Sequence, residues 1–345
     1  MLALLTDEQQ MFKELATELA AAAGLVNPGD LDTIDQDKAW HDIAAAGLLS
    51  LRVRDAGQPM ATGVEVMLAV QALASRLVPL PVLGSGMLSL ELLSLAGAPA
   101  EWIAELADGR ARYAVLLSRD LSRLADLSDA GAVAWDSAGA DFLLVLDRTG
   151  GCVRLARAAA AGRLSWLASI DLTRRTARVG SLAGAEAVGQ PIEPASLDRW
   201  LALALTLVSA DIVGAMRGAL DGVVEYSKRR EQFGVPIGSF QAVQHMCAES
   251  LVKVEAADSA TKYAAWAVDE LEPAAALLAA RTAKAYSGSV ARDVPETVMQ
   301  VYGGIGQTWE SIAHFYLRRT LLDRQVLGDD QVQLALIADS RLGRT

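Results

Sequence analysis

The residues best suited to chemistry lie in the segment Tyr226–Glu249, which reads YSKRREQFGVPIGSFQAVQHMCAE. An apolar helix ends there on a run of charges, breaks at Gly234 and is followed by a short loop that contains proline and glycine. Arg229 and Arg230 beside the break, with the start of the next helix opposite, could bind an anion such as a phosphate. A solvated helix end followed by an ordinary turn is the alternative interpretation.

A second segment, Gln300–Gln307, reads QVYGGIGQ. Paired glycines after a helix allow another backbone or a cofactor to approach closely. The segment lacks both the GxGxxG spacing and the lysine of a P-loop. Taken alone, it therefore favours an ordinary glycine at the end of a helix.

Other candidate residues are isolated. Asp211 lies within the apolar run LALALTLVSADIVGAM, where it either has a raised pKa or is a paired, buried carboxylate. His245 and His314 are each predicted to be packed and hydrogen-bonded rather than catalytic. The only two cysteines, Cys152 and Cys247, exclude a disulfide scaffold, and with three scattered histidines they predict no metal site.

Composition excludes further classes of protein. The 345 residues include 31 Lys and Arg against 42 Asp and Glu, a net charge of −11, which disfavours a nucleic-acid-binding protein. The N-terminus is acidic by Asp7 and shows no cleavable leader. The most apolar stretch, residues 77–100, is interrupted by Pro79, Pro81 and Glu91, so we expect buried helices rather than a membrane span. These features predict a soluble, cytoplasmic protein.

The elements that must position these residues fall into three predicted domains: an N-terminal helical domain (1–110), a small middle β domain (111–195) and a C-terminal helical bundle (196–345). The first helix is predicted to start at Thr6. Its predicted core face comprises Met11, Phe12, Leu15 and Leu19. Short apolar runs predict strands at Tyr113–Leu117, Ala132–Trp135, Phe142–Leu146 and Val153–Leu155. The predicted bundle helices run from Ser196 to Gly234, Gln241–Glu270, Ala274–Val301, Glu310–Leu327 and Gln331–Arg341.

Taken together, the two motif segments resemble the acyl-CoA dehydrogenase family. The run YSKRREQFGVPIGSFQAVQH matches the helix–loop–helix signature of that family almost residue for residue. The run QVYGGIGQTWE matches its second signature, Gln-x-x-Gly-Gly-x-Gly. The order of helical, β and helical parts agrees with the α+β multidomain fold that this resemblance implies, with a C-terminal four-helix bundle.

The resemblance implies an FAD enzyme that desaturates an acyl-CoA thioester between its α and β carbons and passes electrons to an electron-transfer acceptor. In the family, the two motifs hold the adenine-diphosphate half of an FAD bound mainly by the neighbouring subunit. That role falls here on residues from both motifs: Arg230, Gln232, Phe233, Gln241, Gln300, Gly303 and Gly304.

The sequence departs from the family at the catalytic base. Leu327 stands where most members carry a Glu, and Ala204 stands at the alternative base position on the first bundle helix. The loop Thr-Glu-Pro-x-Ala-Gly-Ser-Asp, which holds flavin and thioester in the family, has no counterpart near residues 113–124. The motifs that face a neighbour's FAD are therefore present, while the chain's own pocket looks lost.

This asymmetry resembles the non-catalytic β subunit of actinobacterial α2β2 acyl-CoA dehydrogenases, several of which act on steroid side-chain CoA thioesters. A second, catalytic subunit would then be the partner. Two alternatives stay open at this point. One is a self-sufficient homotetramer that uses Asp329, Asp330 or Asp211 as its base, and the other is a flavin-free helical interaction protein of the same fold.

Overall fold

The computed structural model of the protein describes residues 4–55 and 57–343. Helices form both ends of the chain, and strands occupy most of its middle. The helices are α1 (Asp7–Ala23), α2 (Asp30–Thr33), α3 (Gln36–Ala45), α4 (Gly63–Ser75), α5 (Ser89–Leu95), α6 (Ala100–Ala107), α7 (Pro194–Arg229), α8 (Gln241–Glu270), α9 (Pro273–Val290), α10 (Asp293–Tyr302), α11 (Ala313–Gln325) and α12 (Asp330–Leu342). A π-helical segment, Val82–Leu88, directly precedes α5.

The strands form one large sheet and two small hairpins. The hairpins are β1 (Arg54–Asp55) with β2 (Gln58–Pro59), and β10 (Glu231–Gln232) with β11 (Val235–Pro236). The large sheet contains β3 (Tyr113–Leu117), β4 (Val133–Ala134), β5 (Phe142–Asp147), β6 (Arg154–Ala159), β7 (Leu164–Trp166), β8 (Ala177–Val179) and β9 (Glu186–Val188). Its order is β7-β8-β4-β3-β5-β6-β9, and the β3–β5 pair is parallel while the others are antiparallel. All five residues of β3 are buried, which places this strand at the centre of the sheet.

This architecture confirms the predicted fold class. The predicted strand at Tyr113–Leu117 has the observed bounds, and the next three predicted strands each overlap β4, β5 or β6. Strands β7 to β9 were not predicted, because each has only three residues and exposes part of its length. The domain limits at residues 110 and 195 stay a prediction.

Helix α1 starts where predicted but buries a different face. The Thr6 side chain accepts the backbone N–H of Gln9 at 3.2 Å, and the Gln9 side chain accepts the backbone N–H of Thr6, which is a capping box. The buried side chains are Ala16, Ala20 and Ala23. The predicted core face is wrong at Met11 and Leu15, which are exposed, while Phe12 and Leu19 are partly buried. Alanines allow α1 to pack closely on α4, so the larger side chains lie at or beyond the edge of that contact.

Helix α7 is the central element of the bundle. It packs against α4, α8, α9 and α11, and most of its first half is buried. By length and composition this helix could cross a membrane, but 83% of its most apolar 18-residue window is buried within the protein. Gly214 and Gly218 face the backbone of α4: a Cβ built on Gly218 would lie 2.1 Å from the carbonyl oxygen of Ser75. Glycine is therefore required there for the two helices to approach so closely.

The predicted single helix over Ala274–Val301 is wrong. The structure has two helices, α9 and α10, separated at Ala291 and Arg292. Pro295 lies in the first turn of α10, where its missing N–H is tolerated. In one continuous helix its ring would clash with the carbonyl of residue 291, so the chain starts a new helix instead.

Candidate functional site

The first motif forms a turn at the end of α7. Arg230 follows the helix with extended backbone, and its N–H donates to the carbonyl oxygen of Tyr226 at 2.9 Å. The hairpin β10–β11 then projects from the surface with Phe233 and Gly234 at its tip, both with positive φ (55° and 80°). Two positive φ angles at the central positions of a two-residue loop are typical of a type I′ turn. The Phe233 side chain is 94% exposed.

The rest of this motif is also on the surface. Arg230, Gln232 and Gln241 are exposed, and the described residues offer Arg230 no ion-pair partner. The Gln232 amide donates to the carbonyl oxygen of Glu231 at 2.7 Å. His245 is exposed as well, so the prediction that it is packed and hydrogen-bonded is wrong. It lies one turn after Gln241 on the outer side of α8, where the amphipathic pattern places solvent.

The second motif follows the C-terminus of α10. Gly303 has φ 67° and ψ −147°, a conformation that strongly favours glycine, and a short 3₁₀ helix covers Gly303–Gln307. Gln300, Gly303 and Gly304 are exposed, and a Cβ built on either glycine would meet nothing within 4 Å. The backbone of this turn is therefore open to a ligand that approaches from outside the chain.

The two motifs lie side by side. The rings of Tyr226, one turn before Arg230, and Tyr302, directly before Gly303, have centroids 4.6 Å apart. The fold thus places a free guanidinium and an open glycine backbone on one surface. These groups fit a pyrophosphate, because an exposed Arg binds phosphate oxygens and glycines admit them closely. We call this surface, with its seven motif residues, the cofactor half-site.

The two positions that correspond to the family's catalytic base lie inside the chain. Ala204 is fully buried within α7, and Leu327 is buried in the turn between α11 and α12. The backbone N–H of Leu327 donates to the carbonyl oxygen of Leu121 at 2.7 Å. Leu121 lies within residues 113–124, where the resemblance predicts the family's flavin- and thioester-binding loop and the sequence shows no counterpart of it. The two segments that would hold thioester and base are therefore bonded directly to each other.

A buried lysine holds the same turn from the other side. The Lys284 ammonium on α9 donates to the carbonyl oxygens of Arg324 at 2.8 Å and Gly328 at 3.0 Å. The amide of Gln333 donates to the carbonyl oxygen of Leu327 at 2.7 Å. Burial lowers the pKa of Lys284 to about 7. Leu327 has a positive φ of 59°, which is unfavourable for leucine, so these bonds maintain a strained conformation.

A cluster of buried ions occupies the crevice between the sheet and the bundle. Arg319 on α11 binds Asp211 on α7 through two hydrogen bonds of 2.7 and 2.8 Å. Arg174, just before β8, also binds Asp211 and lies 2.7 Å from Asp136, which follows β4. Asp136 in turn accepts the backbone N–H of Gly84 at 2.8 Å. The cluster therefore joins three regions of the chain across the crevice.

The arginines control the charge of Asp211. Burial opposes its ionisation, but the guanidiniums of Arg174 and Arg319 outweigh burial and hold its pKa below the usual range. The interpretation of Asp211 as a paired, buried carboxylate is therefore the right one. Asp323, also buried, has its pKa raised well above the usual value by burial and by the charge of Asp211, which favours its protonated form.

Little space is left in this crevice. A cavity with room for about one water molecule lies against Arg174, Asp211 and Arg319. A Cβ on Gly84 would lie 2.8 Å from the Cβ of Asp136, so the two sides are already in contact. The residues in the chain's own crevice do not fit a flavin. Sequence reasoning missed both arginines, although an aspartate in an apolar helix signals that a buried cation must face it.

The remaining candidate acids are already engaged. Asp329 caps α12, and its side chain accepts the N–H of Val332 at 3.0 Å. Asp330 is buried and binds Arg324 at 2.6 Å; this bond outweighs burial and lowers its pKa. His314 is packed, as predicted, between Trp309 and Phe315, with Nδ1 3.3 Å from Nε of Arg318. In residues 4–55 and 57–343, no group of three His, Cys, Asp or Glu side chains is arranged to bind a metal.

The chain is similar to several known proteins in sequence and in fold. Residues 201–342 match the family model of the acyl-CoA dehydrogenase C-terminal domain. The acyl-CoA dehydrogenase IpdE2 of Mycobacterium tuberculosis is 33% identical over 331 residues, which cover 93% of each chain. The ChsE4-ChsE5 complex of Mycobacterium tuberculosis matches the fold with a TM-score of 0.83 at 23% identity, over 100% of both chains. The Tcur3481-Tcur3483 steroid ACAD variant gives a TM-score of 0.82 at 22% identity, over 98% of this chain and 99% of the other.

The match to IpdE2, at 33% identity, extends over nearly the whole length of both proteins. The chain therefore belongs to the acyl-CoA dehydrogenase family of flavin-dependent oxidoreductases.

Proposed function

We propose that the chain is the non-catalytic subunit of an α2β2 acyl-CoA dehydrogenase. It contributes the cofactor half-site to an FAD held mainly by a second, catalytic subunit, and that partner supplies the base. FAD supplies the acceptor for the hydride that leaves the β carbon of the thioester. The residues of this chain bind and orient the cofactor's diphosphate half from across the interface.

The observation that carries this proposal is the closure of the chain's own crevice. The backbone bond between Leu327 and Leu121 ties the base position to the segment that would hold the thioester. The ion pairs of Arg174 and Arg319 with Asp211 fill the space beneath. A chain with this interior needs a partner in order to take part in desaturation.

The cofactor half-site supports the same assignment. The exposed guanidinium of Arg230 presents donors to a pyrophosphate, and the open backbone at Gly303 and Gly304 accepts its close approach. The Phe233 ring is almost fully exposed, and exposure of its apolar surface to water is unfavourable unless another molecule covers it. Both features are on the outside of the chain, where a neighbouring subunit can reach them.

The relatives suggest the substrate class. One of the matched structures is a steroid ACAD and another is the ChsE4-ChsE5 complex, so we propose a bulky CoA thioester of the steroid side-chain type as the substrate. A soluble electron-transfer acceptor would reoxidise the flavin, and we propose that the complex acts in the cytoplasm.

The first test is the visible spectrum and light-scattering mass of the purified chain, alone and co-expressed with a catalytic family member. We expect a colourless chain alone and a yellow heterotetramer with about two FAD per four chains. A yellow homotetramer with about four FAD would refute the proposal and favour the self-sufficient enzyme. Absence of flavin in every preparation would favour the flavin-free interaction protein.

The second test removes the guanidinium from the half-site. Arg230→Ala in the heterotetramer should weaken FAD binding about tenfold to a hundredfold, because it removes a charge-assisted hydrogen bond to phosphate. Arg292→Ala, an exposed arginine at the opposite end of α10, is the matched control and should leave FAD binding unchanged. Equal retention of FAD by both variants would exclude Arg230 from the site and refute the proposed half-site role of this chain.

A further inference from the structure

A continuous set of contacts links the two motifs of the cofactor half-site. The N–H of Arg230 donates to the carbonyl oxygen of Tyr226 at 2.9 Å. The ring of Tyr226 packs on the ring of Tyr302 with a centroid distance of 4.6 Å and an angle of 40° between the ring planes. Tyr302 is joined directly to Gly303. A shift of the Tyr226 ring would therefore move Arg230, and a shift of the Tyr302 ring would move Gly303.

Each ring lies at or near the C-terminal end of its helix, next to one motif of the half-site. Arg230 lies at the C-terminus of α7 and Gly303 at the C-terminus of α10. The residues that follow, from the hairpin and from the 3₁₀ helix, are mostly exposed. Helix ends fray readily, and the contact between the two rings restrains the separation of the two termini.

We propose that Tyr226 and Tyr302 are positioning residues of the cofactor half-site, and that Gly222 leaves the space that lets Tyr302 reach its partner. This inference rests on the proposed function, since it concerns how the half-site is held in shape. The pair sets the distance between the Arg230 guanidinium and the Gly303–Gly304 backbone. Neither ring is required to touch the cofactor.

Gly222 supplies an independent observation. It lies on α7 one turn before Tyr226, and a Cβ built on it would be 3.3 Å from the hydroxyl oxygen of Tyr302. That distance is tighter than an ordinary van der Waals contact, so an alanine would displace the ring by a few tenths of an ångström. Glycine within an exposed helix is otherwise unfavourable compared with alanine. Its presence at this position is explained by the space that Tyr302 needs.

The Gly222→Ala variant separates positioning from stability. Alanine has the higher helix propensity, so the melting temperature should rise by about 1–3 °C. The displaced Tyr302 ring should misalign the two motifs, and FAD binding should weaken by about threefold. A residue that only supports the fold would not raise the melting temperature and weaken FAD binding at the same time.

The Tyr302 variants test the role of the ring. Tyr302→Ala removes the contact with Tyr226 and should weaken FAD and ADP binding to the heterotetramer by about tenfold. Tyr302→Phe keeps the ring and should bind both ligands within about twofold of the unchanged protein. Tyr263→Ala is the matched control: it removes an aromatic contact with Trp266 about 33 Å along α8 from Gln241, and FAD affinity should not change.

The readout is the dissociation constant of FAD and of ADP, measured by fluorescence titration of the apo-heterotetramer, together with the melting temperature. Loss of affinity in Tyr302→Phe equal to that in Tyr302→Ala would show that the hydroxyl binds the ligand, and would overturn the positioning role. Unchanged affinity in both Gly222→Ala and Tyr302→Ala, with FAD loosened by Arg230→Ala, would refute this inference alone. If Arg230→Ala also leaves FAD in place, the proposed function itself fails.

Discussion

The buried ammonium of Lys284 makes a quantitative prediction about stability and pH. Its pKa is lowered by burial from 10.5 to about 7 in the folded chain. At about 1.4 kcal/mol per pKa unit, this shift corresponds to roughly 5 kcal/mol. A lowered pKa in the folded state means that the unfolded chain binds more protons between pH 7 and 10.5. The cost of burying the charge is therefore fully present below pH 7 and disappears as the pH approaches 10.5.

The test compares the protein with Lys284→Met, which keeps an unbranched side chain of similar length but cannot ionise. Its loss of the bonds to Arg324 and Gly328 gives a pH-independent offset. The free energy of unfolding of the original protein, minus that of the variant, should rise by about 3 kcal/mol between pH 7.5 and 9.5. Groups that titrate equally in both proteins cancel in this difference.

Guanidinium chloride unfolding at several pH values, followed by circular dichroism, measures this difference. Lys253→Met, which removes an exposed lysine paired with Asp293, is the control and should give a difference that stays flat with pH. A flat difference for Lys284→Met as well, or one that falls with pH, would refute the reasoning, because folding would then not depress the ionisation of this lysine.

Three further predictions concern other parts of the molecule. Asp211→Ala leaves Arg319 buried without its main counter-ion and removes one of the carboxylates that face Arg174, and calorimetry should show a loss of about 3–5 kcal/mol in stability. Leu327→Glu should not create a catalytic base, because its backbone is bound to Leu121 in a closed crevice; a heterotetramer whose partner base is removed should stay inactive in α-proton exchange of a bound acyl-CoA. Thr62→Ala removes the capping box of α4 and should cost about 1 kcal/mol of stability, as measured by denaturant unfolding.

The ionic cluster in the crevice has a structural role that a bound flavin would otherwise fill. A flavin bound between sheet and bundle would contribute contacts that join them, and the chain's own crevice instead contains an ionic cluster that makes this connection. Asp136 from the sheet and Asp211 from α7 meet the same guanidinium of Arg174. The cluster thus holds the sheet against the bundle while the cofactor half-site on the outside stays available.

The sequence alone predicted those features that depend on local patterns. Helix α8 has the predicted bounds, Gln241–Glu270, because a loop with proline and glycine precedes it and Pro273 starts the next helix. The strand Tyr113–Leu117 is a short apolar run between polar residues, a pattern typical of a buried strand. The sequence also indicated the family and the positions of its two motifs, because each motif is a continuous run of residues.

Only the tertiary structure decided what lies opposite each residue. Asp211 and its partner Arg319 are 108 residues apart, and no local periodicity indicates that they meet. The bond between Leu327 and Leu121 likewise joins two turns from different parts of the chain. The face that α1 buries depends on how closely α4 approaches. The spacing of Met11 and Leu15 along the sequence does not reveal that distance. Residue patterns determine the local elements because they reflect interactions over a few residues, whereas closure of the crevice depends on contacts that form only when the elements pack.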